Sequence, residues 1–168
     1  MKLTRTERLI LSNQYRILEG LYPKEAREHQ RARVSLEEGY EQEYIFLAEH
    51  VREDVMTVEE CKELYEILEM HRAMKFSYRE LSDKSGITEG DVDFAGFDGN
   101  DAVEGKYLSY VRYVSEARKY EELERGDDFN SHSPELDRYR KMLAAWRGMG
   151  KERNLSKDRL RLLSSTRA

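Results

Sequence analysis

From Thr57 to Glu80 the chain reads TVEECKELYEILEMHRAMKFSYRE, and its second half sets Leu64, Ile67, Leu68, Met70, His71 and Met74 so closely that almost no polar face remains. A helix that is apolar on several sides has to be enclosed by other elements, not laid against one. Its start is marked too. Thr57 and Glu60 have capping-box spacing, and Met56 and Cys61 occupy the two positions of a hydrophobic staple around it. The stretch predicts a central helix with the rest of its domain built around it.

The other segments read as helices of different kinds. Thr4 and Glu7 repeat the capping-box spacing, and Leu11, Tyr15 and Leu18 with Ile10, Ile17 and Leu21 form a broad apolar face that ends at Pro23. Lys24 to Glu38 is polar nearly all round and stopped by Gly39, so it needs ion pairs such as Glu28 with Arg31, or a partner surface. Together these predict a helical hairpin. Tyr40, Tyr44, Leu47 and Val51 predict a helix over YEQEYIFLAEHV. Tyr107, Tyr110, Val111, Val114 and Ala117 mark a further amphipathic helix. Ser133 before Pro134 has the look of an N-cap for a helix presenting Leu136, Tyr139, Leu143 and Trp146, and Leu155 with Leu160 staples a short C-terminal one. Charged residues make up 38% of the chain, against about 25% on average, and there are only two prolines. The expected fold is all-α, without significant β-sheet: an N-terminal subdomain with the hairpin, 1–56, packed on a multi-helix subdomain with a basic tail, 57–168. Asp83–Asp101 and Gly126–His132 read as irregular.

Most site chemistry is not encoded. The histidines at 29, 50, 71 and 132 have no second His at three or four residues and no Glu three before, so the zinc-protease and di-iron helix pairs are absent, as is a Gly-rich phosphate loop. A lone Cys61 makes neither an internal disulfide nor a cysteine-rich zinc site, and its apolar stripe makes it a small hydrophobe. Acid pairs such as Glu59 and Glu60 read as solvated surface. No catalytic, metal or cofactor residue is assigned. With no apolar run of membrane length and no signal-peptide pattern, the expectation is a soluble, cytoplasmic protein.

LSDKSGITEGDVDFAGFDGND, 81–101, admits three readings. As a calcium loop counted from Asp91 it offers Asp93 and Gly96 but has Ala95 and Ala102 where ligands belong. As a helix-turn-helix it has Leu81 and Val92 to pack, Gly86 to turn and Thr88 to cap, yet its recognition helix carries Glu89, Asp91 and Asp93 and no cation. The third reading needs no ligand: Phe94 and Phe97 flank Gly96 in a tight turn whose rings dock on the core, and Asp98 bonds backbone N–H groups at the entrance to the next helix.

Three segments, RLILSNQYRIL at 8–18, FAGFDGNDAVEGKYLSYVRYV at 94–114 and FNSHSPELDRYRKMLAAW at 129–146, resemble the YfbU family of small bacterial proteins in order and over nearly the whole chain. No generic helical pattern demands Ser12, Asn13, Gln14 and Tyr15, or Gly96, Phe97 and Asp98, or Phe129, Asn130 and Trp146. The resemblance implies an all-helical fold with a hairpin joined to a second subdomain, and a protein that self-associates; it implies no activity and carries over no catalytic or cofactor residue.

Ser12, Asn13 and Gln14 interrupt an apolar helix. Either they satisfy a buried backbone group of a neighbouring element, or they make a polar pocket beside Tyr15. Charge is uneven as well: 138–168 holds ten Lys or Arg against two acids, a net of +8 that leaves −13 on the rest of a chain at −5. A basic tail lying on the acidic body of its own or a neighbouring copy is the first reading. The leading functional expectation is a non-catalytic protein acting through homo-oligomerisation and protein contacts, with Tyr139 between Arg138 and Arg140 as candidate interface anchors. The alternative is nucleic-acid binding, with Lys151, Arg153, Lys157, Arg159 and Arg161 on phosphates. An enzyme with a dispersed site is the third.

Overall fold

A computed structural model describes residues 1–124 and 128–165. Gly126 and Asp127 of the expected loop, and Arg167 of the tail, lie outside the described residues. The described chain is all-α: eight α-helices, two single 3-10 turns, no strand, and one isolated parallel bridge between Phe97 and Asn130. None of these helices is long and apolar enough to cross a membrane. The chain divides into two compact units, Met1–Val55 and Met56–Ala168.

In the first unit α1 (Arg5–Leu21) and α2 (Ala26–Glu38) form the hairpin. The Thr4–Glu7 capping box opens α1, and Gly39, at φ 79°, closes α2 in the left-handed conformation. Ions do much of the holding. Arg33 bonds Glu19 at 2.6 Å and Glu37 at 2.8 Å, Arg16 reaches the other oxygen of Glu37 at 3.0 Å, and Arg8 donates to the Leu36 carbonyl. Arg31 turns to Glu43, not to the expected Glu28. The helix expected over 40–51 is a 3-10 turn, Glu41–Glu43, and the one-turn α3 (Tyr44–Leu47). Only Tyr44 of its stripe is fully buried, while Tyr40 and Val51 are exposed, so no continuous surface exists to support a longer helix.

The second unit is built round α4 (Val58–Glu80), which buries Leu64, Ile67, Leu68, Met70, His71 and Met74 as its sequence requires. Around it pack the one-turn α5 (Glu89–Val92), α6 (Glu104–Glu116), α7 (Leu136–Gly148) and α8 (Lys157–Ser165). Leu155 and Leu160 are both buried, as the staple at the start of α8 expects. Ser133 does not cap α7. Its hydroxyl turns to the Ser131 carbonyl, and the first N–H groups of α7 go elsewhere, as described next.

Candidate functional site

The signature residues of 94–98 and 129–130 come together. Gly96 takes φ 92°, and a methyl group there would stand 1.9 Å from the Phe129 carbonyl oxygen, so only glycine lets the two loops touch. Across that contact the Phe97 N–H donates to the Phe129 carbonyl at 2.9 Å and the Ser131 N–H to the Phe97 carbonyl at 3.1 Å. The Asn130 side-chain oxygen accepts from the N–H groups of Gly99 and His132. Phe94, Phe97 and Phe129 turn inward: Phe94 meets His71, Phe97, Phe129 and Tyr139, and Phe97 meets Tyr107 and Tyr139, at ring-centroid distances of 5.3–6.1 Å.

Two polar side chains tie this corner to the helices. The Tyr139 hydroxyl donates to the Gly96 carbonyl and accepts from the Ala95 N–H, both at 3.1 Å. Glu104 is buried, and its carboxylate accepts from the N–H groups of Asp98 at 2.8 Å, Glu135 at 2.7 Å and Leu136 at 2.6 Å. Glu104 is thus the cap of α7, brought in from α6, which corrects the expectation for Ser133. A second correction concerns Asp98: its carboxylate accepts from Asn100 in a local turn, and Asp101 takes the N–H groups of Val103 and Glu104 at the start of α6. Trp146 lies apart, donating to the Glu152 carbonyl at 2.9 Å in the loop after α7.

The acids of the corner do not converge. Asp93 pairs with Lys75 at 3.0 Å, Asp91 accepts from Thr88, and Asp98 holds Asn100. No group of three or more His, Cys, Asp or Glu among the described residues is arranged to hold a metal ion. The helix-turn-helix features exist locally, with Gly86 at φ 72° and Val92 buried, but α5 is a single turn, too short to lie along a groove.

Tyr139 is 0% exposed and finishes the core, so it is not an exposed interface anchor. Burial pushes its hydroxyl pKa upward and keeps it a neutral donor. Arg138 pairs with Glu135, and Arg140 grips both oxygens of Glu63 at 3.0 and 3.1 Å. Burial raises the Glu63 carboxyl, but hydrogen bonds from Arg140 and Tyr107 outweigh it and hold it below its ordinary value. The basic tail continues the pattern. Arg147 and Lys151 share Glu66, Lys157 reaches Asp83 at 2.6 Å, Arg159 pairs with Glu152, and Arg161 donates to the Ser85 and Gly86 carbonyls. The tail therefore lies on acids of its own unit. Among the five expected phosphate contacts, Arg153 alone makes no such side-chain bond in the described structure.

In the hairpin, Ser12 is buried and bonds the Leu9 carbonyl of its own helix at 3.1 Å, not a neighbouring element. The Tyr15 ring lies tilted against His29, while Asn13 and Gln14 are exposed, so the three do not form a pocket with Tyr15. What the sequence reading missed is the far side of α1. Ile10, Ile17 and Leu21, expected on one broad apolar face with Leu11, Tyr15 and Leu18, are 52%, 61% and 65% exposed and form a second apolar stripe. Its signal was present: six apolar positions are too wide a spread for contact with one polar helix. Among the described residues, twelve of the seventeen large exposed apolar side chains fall in the first 55, which bury only Leu36 and Tyr44 in a core. A family model described as the YfbU domain matches residues 1–164, taking in the α1 segment and both loops of the signature corner.

Proposed function

Because this chain belongs to the YfbU family, we propose that it works through self-association and protein contacts rather than catalysis, and that the outward stripe of α1 is where two copies meet. The observation that supports this most is the imbalance in the hairpin unit: twelve large apolar side chains exposed against two buried. A surface that apolar marks an interaction site in a folded protein. A second copy is the partner that fits it. Ile10 and Ile17 stand seven residues apart with Leu21 one turn on, and a two-fold axis near Asn13 and Gln14 opposes each stripe with its equal, the amides meeting at the centre. A reducing, cytoplasmic setting suits the free, half-buried Cys61.

Light scattering at tens of micromolar tests this. The wild-type protein is expected at a multiple of the chain mass, and I10K/I17K at the mass of one chain, while Tyr113→Lys, on an exposed site of the second unit, leaves the wild-type mass unchanged. A wild-type protein of single-chain mass throughout that range refutes the assignment.

A further inference from the structure

The second unit holds a cleft of about 560 Å³, within the roughly 300–1,000 Å³ usual for small-molecule sites. One side is a face of α4 carrying Arg72, Phe76, Arg79 and Glu80; the other is Arg153 and Asn154 of the loop between α7 and α8. That loop is fixed. Ser77 donates to the Arg153 carbonyl at 3.1 Å and accepts from the Leu155 N–H at 2.8 Å, and Trp146 holds the Glu152 carbonyl.

The cations of this unit fall into two groups, and Lys62, Lys84 and Lys141 are exposed with no carboxylate in pairing distance among the described residues. Elsewhere in the unit Lys75, Lys106, Arg112, Arg140, Arg147, Lys151, Lys157 and Arg159 are all paired with carboxylates. Arg79 and Arg153 have no carboxylate within pairing distance among the described residues, although they share one concavity. Arg72 is immobilised by Glu122 and Glu69 with its guanidinium 4.1 Å over the Tyr120 ring, so its charge is spent within the cleft wall and the free cations of the cleft are Arg79 and Arg153. Glu69 is itself taken up by Arg72 and the Tyr120 hydroxyl. Between the arginines Phe76 is 43% exposed, with the Arg79 guanidinium 5.8 Å from its ring centre.

We propose that this cleft binds a nucleoside monophosphate unit, with the phosphate between Arg79 and Arg153, the base against Phe76, and Asn154 as an adaptable hydrogen-bonding edge. Guanidinium forks match phosphate oxygens, and an exposed aromatic ring flanked by arginine is a stacking platform for any base. Glu80, exposed at the rim and without an ion pair among the described residues, opposes the anion.

Calorimetric titration of the full chain with adenosine monophosphate tests the site, with adenosine, inorganic phosphate and a single-stranded oligoadenylate as the other arms. Saturable binding is expected, weakened about tenfold or more by either Arg79→Ala or Arg153→Ala and by Phe76→Ala, and strengthened a few-fold by Glu80→Gln. All four positions are exposed or partly exposed, and unchanged circular dichroism separates lost binding from lost fold. Adenosine and phosphate alone should each bind at least about tenfold more weakly than the monophosphate. A tighter oligoadenylate assigns the unit to a strand, an equal or weaker one to the free nucleotide. No binding at millimolar nucleotide, inorganic phosphate binding as well as the monophosphate, or binding indifferent to R79A, R153A and F76A overturns the proposal.

Discussion

At position 96 one hydrogen atom decides whether two loops meet. The left-handed φ of 92° already disfavours any side chain, and a methyl carbon 1.9 Å from the backbone oxygen of Phe129 leaves nothing flexible to move aside. Gly96→Ala must separate the loops, breaking the hydrogen bonds of Phe97 and Ser131 and loosening the rings beneath them. A loss of more than about 3 kcal/mol is expected in urea unfolding. Gly148 is the matched control. It ends α7 with nothing within 4 Å of an added methyl, and Gly148→Ala should be neutral or stabilise by up to about 1 kcal/mol. Equal effects at the two positions would show that the close approach at 96 does not matter. The sequence displays both glycines alike; only the loop brought from thirty residues away distinguishes them.

Among the elements, α4 was fully legible because its demand for enclosure is written in its own residues, and the caps at Thr4 and Thr57 were legible because both partners lie within one turn. The cap of α7 was not, since its acceptor stands on α6 and no local spacing connects Glu104 with Glu135 and Leu136. Nor was the failure of the helix at 40–51, where periodicity existed without a surface to receive it. The candidate interface lay hidden for a related reason: apolar positions on α1 reveal that the helix is sticky, but not which of them α2 covers. The α7 cap gives a direct test. Glu104→Ala leaves three buried or partly buried N–H groups without their acceptor and removes a negative charge from the helix start, a loss of about 3–5 kcal/mol. Ser133→Ala, which removes the residue that looks like the cap, should change stability by less than about 0.5 kcal/mol. Denaturant midpoints for the two variants decide between them, and a large loss at Ser133 with none at Glu104 would reverse the assignment.

Over the whole molecule, charge separation along the sequence becomes charge pairing within the second unit, where Arg140, Arg147, Lys151 and Lys157 of the basic segment are taken up by Glu63, Glu66 and Asp83, and Arg159 by Glu152 of the segment itself. The polarity was plain in the sequence, and its destination was not, because α4 offers its acids on the faces left over from the core. This arrangement has a pH signature. The carboxyls of Glu63 and Glu66 are pushed up by burial, yet the hydrogen bonds from Arg140 and Tyr107, and from Lys151 and Arg147, bring both below their ordinary values. Lys157 and Ser85 hold Asp83 down as well. A carboxyl whose folded pKa is depressed contributes stability that is fully present above its unfolded value, about 4.3 for Glu and 3.9 for Asp, and is lost as pH falls through the folded one. Thermal stability should therefore stay level from neutral pH down to about 5 and decline below about 4. The double variant E63Q/E66Q should melt about 2–6 °C lower at neutral pH, reflecting roughly 1 kcal/mol once the half-exposed arginines are discounted for screening. On acidification it should lose less than wild type, so the two melting curves converge as pH falls through the depressed folded values and the wild-type carboxyls are themselves neutralised. Added salt at neutral pH should narrow the gap in the same direction. Parallel curves, with the variant equally lower at every pH, would mean that Glu63 and Glu66 act by packing alone and that the tail is held by its leucines.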